Sequence, residues 1–557
     1  MLSCRKLLAA SLAGAMLIAA AGCGGAGENP EAPEVALTEE NSSLKNGHVF
    51  YDPPIQLNIA RSVGPDAKFK PGQDVNKNDV TDWMLEEFGV KANYMWTTPT
   101  TDNAFYTKIM LSISAGEELP EFFSIPGAQA HELIDSGLMM PIDGLFEKHA
   151  GAKWKNAVAE VQDPWLAYTR EGQVYAYPNF DYAYEHEDVM WIRDDWLEAA
   201  GMEAPKTLED LRAVMDAFIH LDSSVTGFDK VYGFTAALQS NYTTWLGVNP
   251  VFGGFGAIPQ IWMKDEAGDI VYGSTMPQIK TALAEFKDWI DKSYFPPEVG
   301  LMNEVAAYEL FTSGRAGITM GATWCYDWPL QDVEKNVPGA KVGAYPIPNG
   351  PTGSFLQSGN GTHYQVVLFS KASKNPQVFF EITDYLYDNY AEPEKGSQFE
   401  YGFKDGFDYI VKDDGTVSYI EDDIPGGKAS VLFFSAPMIP SQKIAIASYL
   451  AEGNEPETPA QIQKSVGWNQ IFLDAARIVM SQKEYTVYDL FTGAPTPTMV
   501  EKLADLKAFE VSNFSNILYG KTGLDEGFDS WLSYWSSNGG VQITEEVRQW
   551  YKDAGGE

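Results

Sequence analysis

Short apolar runs that alternate with amphipathic stretches constrain this chain most, because that order admits few folds other than α/β layers. Residues Ile55 to Ala60 alternate as a strand does, Asp79 to Phe88 reads as an amphipathic helix stopped by Gly89, and Val90 to Trp96 is the next strand. Phe105 to Ala115 is a second helix closed by Gly116, and Glu121 to Ile125 a third strand, so the chain opens βαβαβ. Thr207 stands as an N-cap with Asp210 three residues later, and Leu208, Leu211, Val214, Met215 and Phe218 then share one helical face that belongs to a core. Helices over Ala282 to Lys292 and Glu304 to Phe311, strands over Ala316 to Met320 and Tyr364 to Phe369, and a helix started by Asn375-Pro376 continue the pattern. No internal repeat interrupts it.

The first 23 residues say where the chain works. Arg5 and Lys6 precede mostly apolar residues from Leu7 to Ala21, followed by Gly22 and Cys23, which is a secretory signal over 1–22 ending in a lipobox whose cysteine takes the lipid. A spanning helix is the competing reading, but Ser11, Gly14 and the small-residue ending favour cleavage. Residues 23–49, polar and rich in Glu and Pro, then form a flexible spacer, and the predicted location is the outer face of a membrane. No later segment is apolar enough to span a bilayer. The roughly 510 residues that remain exceed one ordinary core and predict two or more lobes.

With 39 basic against 77 acidic residues the formal charge is −38, which excludes nucleic acid as a partner. Besides Cys4 in the signal and Cys23, only Cys325 remains, so no internal disulfide is possible and packing must hold the fold. Cys325 lies between Trp324 and Tyr326 with no base nearby in sequence and reads as a buried spectator. No G-x-S-x-G, H-E-x-x-H or paired C-x-x-C occurs, and Gly520-Lys521-Thr522 lacks the first glycine of a phosphate loop, Ser515 standing there instead. The acidic pairs Asp194-Asp195 and Asp422-Asp423 read as solvated faces rather than glycosidase carboxylates.

Aromatic residues are the positive signal: 15 Trp, 28 Tyr and 30 Phe, many beside Gly, Asn and Asp in predicted loops. Flat sugar faces stack on indole and phenol rings, and their hydroxyls need polar partners in place of water. The densest group is Trp324, Tyr326, Asp327 and Trp328; Trp245 and Tyr184 are expected from the opposite wall of a site, with Asp181, Tyr182 and Asn360 as further ligand-binding candidates. The alternative, that these rings fill a core, stays open. No cofactor and no metal is expected.

Ser114 to Glu121 resembles the segment "SGDLPD", Gly172 to Pro178 resembles "dGkiYalP", and Val189 to Leu197 with Pro205-Lys206-Thr207 resembles "WIRkDWLdklG...PkT" of the extracellular solute-binding protein family 1, large oligosaccharide-binding branch. Gly314 to Gly317, Lys374-Asn375-Pro376 and the run from Phe528 to Tyr551 are similar as well, in the same order. The resemblance implies an α/β, two-lobed periplasmic-binding-protein-like fold of type II. One lobe would comprise 50–178 and about 322–375, the other 179–321 and about 376–557. It further implies a monomer without catalysis that delivers a carbohydrate to ABC transporter permease subunits. A secreted glycan-degrading enzyme and a binder of peptide or another solute remain the alternatives. Members close to the alginate-oligosaccharide binders carry a calcium loop D-P-D-G-N-G-x-x-D-x-x-G-F; over Asp222 to Phe234 only Asp222 keeps an acid at a ligand position, which predicts no tight calcium.

Overall fold

The computed structural model describes residues 42–556 except 65–66, 68, 101–102, 240–241, 360–362, 420–423, 425–434 and 436; the signal, Cys23, Asn360 and Asp422-Asp423 lie outside the described residues. A hairpin of Ser42–Lys45 against His48–Tyr51 comes first, its Lys45 bonding to Glu86 and Glu87, so the expected flexible spacer over 23–49 is corrected from Ser42 onward. The chain then lays down β1 (Ile55–Ser62), α1 (Asp79–Phe88) and β2 (Val90–Thr98), with β1 and β2 parallel from Ile55 opposite Val90 to Ser62 opposite Thr98. Helix α1 starts where Asn78 accepts from the Val80 and Thr81 amides while Thr81 Oγ1 accepts from the Asn78 amide, a reciprocal cap worth about 1 kcal/mol. It ends at Gly89, whose φ of 67° is left-handed and where a Cβ would stand 1.9 Å from the Tyr51 carbonyl oxygen. Only glycine fits there. Helix α2 (Ala104–Ala115) and strands β3 (Phe122–Pro126) and β4 (Ala176–Phe180) complete this first pass.

The chain then builds a second sheet from β5 (Asp188–Arg193), whose six residues are all buried, and continues through α3 (Leu208–Ile219) and β6 (Tyr232–Phe234). Helices α4 (Pro277–Asp291) and α5 (Glu304–Thr312) lead to β7 (Ala316–Ala322) and β8 (Val342–Tyr345). The order is β6-β7-β5-β8, with β6 and β7 parallel and β5 antiparallel to both of its neighbours. The five apolar residues expected on one face of α3 are all buried. Its Thr207 cap accepts from the Asp210 amide at 3.1 Å, and Asp210 returns the bond. Trp191, Trp196 and Trp289 are fully buried in this core.

Strand β9 (His363–Phe369) returns to the first lobe and inserts between β3 and β4, antiparallel to both. Helix α6 (Gln377–Asn389) follows it there, adding Phe379, Phe380, Ile382 and Leu386 to the first core, as do Phe399, Phe403 and Phe407. The last elements return to the second lobe: α7 (Gln442–Ala451) packs on α8 (Gln470–Gln482), and α9 (Pro497–Leu518), α10 (Leu524–Ser537) and α11 (Gly540–Asp553) bury Leu506, Phe514, Trp531, Trp535, Ile543 and Val547 in its core.

The expected lobe boundaries are therefore corrected. Residues 322–358, assigned from sequence to the first lobe, bury Leu330, Val342, Ile347 and Phe355 in the second core, and residues after 376 stay in the first lobe through Phe407. Strand pairing decides this, because β8 finds its partner in β5 and β9 finds partners in β3 and β4, all far away in sequence. Two connections between lobes touch, the Ala183 amide donating to the Pro440 carbonyl at 2.7 Å, and a third is held to the second lobe, the Gly359 amide donating to the Val487 carbonyl at 2.9 Å. Asp194 and Asp195 are not a solvated pair, since Asp195 takes two bonds from the buried Arg193 and Asp194 accepts from Tyr345. No helix among the described residues is long and apolar enough to cross a membrane.

Candidate functional site

In open α/β sheets ligands gather at the carboxyl ends of the strands. In the second lobe the loops leaving β6 and β7 carry three indoles that meet there. Trp245 lies 5.2 Å from Trp324 and 5.6 Å from Trp328 between ring centroids, and Trp324 and Trp328 stack at 6.3 Å with 19° between planes. Tyr308 of α5 closes the group, 6.3 Å from Trp245 and 6.0 Å from Trp328. Trp328 is 58% exposed, whereas Trp245 and Trp324 are half-buried. The Trp245 loop can lie this close because Gly321 has no side chain; a Cβ there would stand 2.6 Å from the Trp245 carbonyl oxygen. Trp245 thus belongs beside Trp324 rather than on an opposite wall, a placement that only the pairing of β6 with β7 decides.

The remaining sequence candidates separate. Tyr326 turns inward, stacking on Trp191 at 6.1 Å and donating to Glu334, so it packs as a core residue. Cys325 is fully buried, its thiol pushed well up by burial. Asp327 is exposed and accepts from Asn469 Nδ2 at 2.8 Å. Asp181 is exposed and accepts from the Tyr182 amide. Tyr182 lies against Lys443 and Lys464, whose ammonium groups sit 5.5 and 5.4 Å from its ring centroid, and Lys464 also donates to its hydroxyl. Tyr184, at a left-handed φ of 64°, lines a cavity of about 360 Å³ together with Glu160, Asp163, Thr243, Ser358, Tyr488 and Asp489. That cavity runs from the segment before β4 to the second lobe, and its Tyr184 and Thr243 lie two residues from His186 and Trp245 at the indoles.

Sequence reasoning missed several groups here. His186 meets Trp324 edge-on at 6.2 Å. On the first lobe, Asn179 at the end of β4 donates to Ser124 Oγ at 3.0 Å, Ser124 donates to Gln365 at 2.7 Å, and the buried Asn179 Oδ1 has no hydrogen-bond partner. The available signal was a polar residue set into each of three apolar strands near the lobe connections. Behind the site, burial lifts Glu187 to about 7 and raises Asp188 well above the carboxylate range, although Asn249 Nδ2 donates to Asp188 at 2.9 Å. In the degenerate loop, Asp222 caps a short helix at Ser224 while Lys230 lies over the Tyr232 ring. No cluster of three or more His, Cys, Asp or Glu positioned for a metal occurs among the described residues.

Comparison with known proteins agrees with this architecture. A stretch of 24% identity over 363 residues, 65% of this chain and 67% of the relative, links it to the polygalacturonan/rhamnogalacturonan-binding protein YtcQ of Bacillus subtilis. Over 165 residues, 28% of this chain and 30% of the relative, it is 28% identical to the fructooligosaccharide ABC transporter substrate-binding protein FusA of Streptococcus pneumoniae. An HMO-binding, ABC-transporter-associated solute-binding protein from Bifidobacterium longum infantis superposes with a TM-score of 0.62 at 15% identity, over 90% of this chain and all of that one, which establishes the two-lobed periplasmic-binding fold. The family described as bacterial extracellular solute-binding protein matches residues 76–391, more than half of the chain and parts of both lobes, and this protein belongs to it.

Proposed function

We propose that the protein captures an oligosaccharide between its lobes and hands it to an ABC importer, tethered to the membrane through a lipid on Cys23. The observation that carries this reading is the trio Trp245, Trp324 and Trp328 with Tyr308, because an exposed, stacked aromatic surface at strand ends offers a sugar ring the apolar face it pairs with. Core packing does not account for a tryptophan left 58% exposed. Trp328 and Trp324 serve as platforms, Trp245 and Tyr308 back them, Asp327 accepts from sugar hydroxyls, and Asn179, Ser124 and Gln365 meet the ligand from the first lobe on closure. Tyr326 and Tyr182 hold the scaffold. The relatives named for polygalacturonan, fructooligosaccharide and HMO support a glycan ligand. The protein acts as a monomer without catalysis, and its permease partner meets both lobes of the closed form.

Titration calorimetry against a glycan panel, with turnover measured on the same samples, tests this reading. Saturable binding without turnover is expected. Turnover abolished by one carboxylate substitution would replace it with an enzyme, and binding of peptides alone would replace the ligand class.

A further inference from the structure

We infer that the cleft selects uncharged oligosaccharides and rejects chains of uronic acids, an assignment that rests on the carbohydrate reading above and narrows it. The cavity of about 360 Å³ is lined by three acidic side chains, Glu160, Asp163 and Asp489, of which Asp489 accepts from the Trp262 and Phe491 amides and Glu160 from the Ser441 amide, and among the described residues lining it there is no Lys, Arg or His. At the adjoining indoles the exposed charged side chain is again acidic, Asp327, while Glu304 accepts from Thr244 beside Trp245. The cations of this region are engaged: Lys443 pairs with Glu185, and Lys464 donates to Tyr182. On the first lobe, Arg61 lies over the Tyr94 ring and donates to the Ser62 carbonyl, and it lines a separate cavity of about 250 Å³ with Ser124 and Gln365. The one cation among the described residues of that wall is thus held away from the acidic cavity, while Ser124, Asn179 and Gln365 are neutral.

A bound carboxylate needs charge-assisted donors to replace its water. Here it meets acceptors of its own sign instead. Two carboxylates about 6 Å apart at an effective dielectric of about 20 repel strongly enough to cost about a hundredfold in affinity. A sugar hydroxyl has the opposite preference, since it donates well to a carboxylate and pays little to leave water when it does so. The acidic lining is therefore a positive feature for a neutral chain and a repulsive one for a uronate, which is how specificity against a close analogue is built.

The test is calorimetry on the intact protein with matched pairs of the same length and linkage: galactan with galacturonan, mannan with mannuronan, and glucan with glucuronan oligosaccharides. At least one neutral member should bind, with its uronate counterpart weaker by about a hundredfold at low salt and by less at high salt, where screening shortens the repulsion. A uronate bound as tightly as its neutral counterpart overturns the selectivity and leaves the carbohydrate reading standing. Silence across every pair overturns both. In the folded double variant Glu160→Gln, Asp163→Asn the neutral-to-uronate ratio should fall about tenfold, Asn suiting the left-handed φ of 47° at position 163. An unchanged ratio in that variant refutes these carboxylates as its cause.

Discussion

Replacing Trp328 by alanine separates a binding surface from a packing surface on one residue. With 58% of its area exposed, the indole leaves well over half of a side chain of about 250 Å² open to a ligand. A sugar ring that covers roughly half of that open face removes about 70 Å² of apolar surface from water, worth about 1.5 to 2 kcal/mol at 25 cal/mol/Å², so Kd should rise by about 10- to 30-fold. The hidden part of the ring rests on Trp245, Trp324 and Tyr308, which are themselves partly exposed, so truncation should cost stability only about 1 kcal/mol. The control is Trp196→Ala, where a fully buried indole packs on Phe218 and the expected cost is about 3 to 5 kcal/mol of stability. Calorimetric titration with the best glycan of the panel, beside thermal unfolding of each variant, reads both numbers. A Trp328→Ala protein that binds within twofold of the parent refutes the platform, and one that loses as much stability as Trp196→Ala shows that the ring is structural. Trp324→Ala should fall between them, losing both affinity and stability, because its ring is half-buried.

Cys23→Ala should yield a folded protein that is released or unprocessed, and lipid labelling that persists in this variant rules out Cys23 as the anchor. Ligand that touches both lobes favours closure only through its differential affinity, so the radius of gyration from small-angle scattering should shrink at saturation; an unchanged radius argues against a closing cleft. Burial lifts the Glu510 carboxyl to about 7 against the bonds it accepts from Ser274 and Tyr272, so the folded state holds a proton that the unfolded state releases above pH 4.5. Stability from this site is complete below about 4.5 and lost as pH rises to about 7, by about 3 kcal/mol, and Glu510→Gln should flatten that part of the Tm profile; a parallel profile contradicts it. Calcium should leave Tm unchanged, because Asp222 is committed to a helix cap and Lys230 sits where an acid would be needed; a calcium-dependent rise that vanishes in Asp222→Ala would show otherwise.

Local elements were legible in the sequence because their causes are local. Helix α1 runs over Asp79–Phe88 as its periodicity and Gly89 require, and the buried face of α3 is the one its spacing marks. Errors arose at ends governed by less visible chemistry: α4 begins at Pro277, in the first-turn position proline suits, five residues before the apolar periodicity becomes plain. Of the second-lobe helices at the end of the chain, α10 and α11 were legible only as a family likeness, and α7 to α9 left no reading. For the site, aromatic density pointed to the right neighbourhood but could not orient a ring. Trp328 and Tyr326 stand two residues apart in the same apolar-aromatic run, yet one faces water and the other Trp191, because the extended backbone at Trp328 turns its side chain out of the tight turn around it.

What the sequence by itself determined is the α/β class and the family, each set by residues read within a short window or by their order along the chain. Tertiary structure alone decided which lobe owns residues 322–407, since β8 and β9 choose partners more than a hundred residues away and nothing in their own composition names them. It also decided that Trp245, about eighty residues before Trp324, shares its surface: the parallel pairing of β6 and β7 sets both loops at one sheet edge, and the bare Cα of Gly321 lets them touch. Contacts of that kind come from the free energy of burying two sheet faces together, a sum over the whole chain that no local pattern encodes.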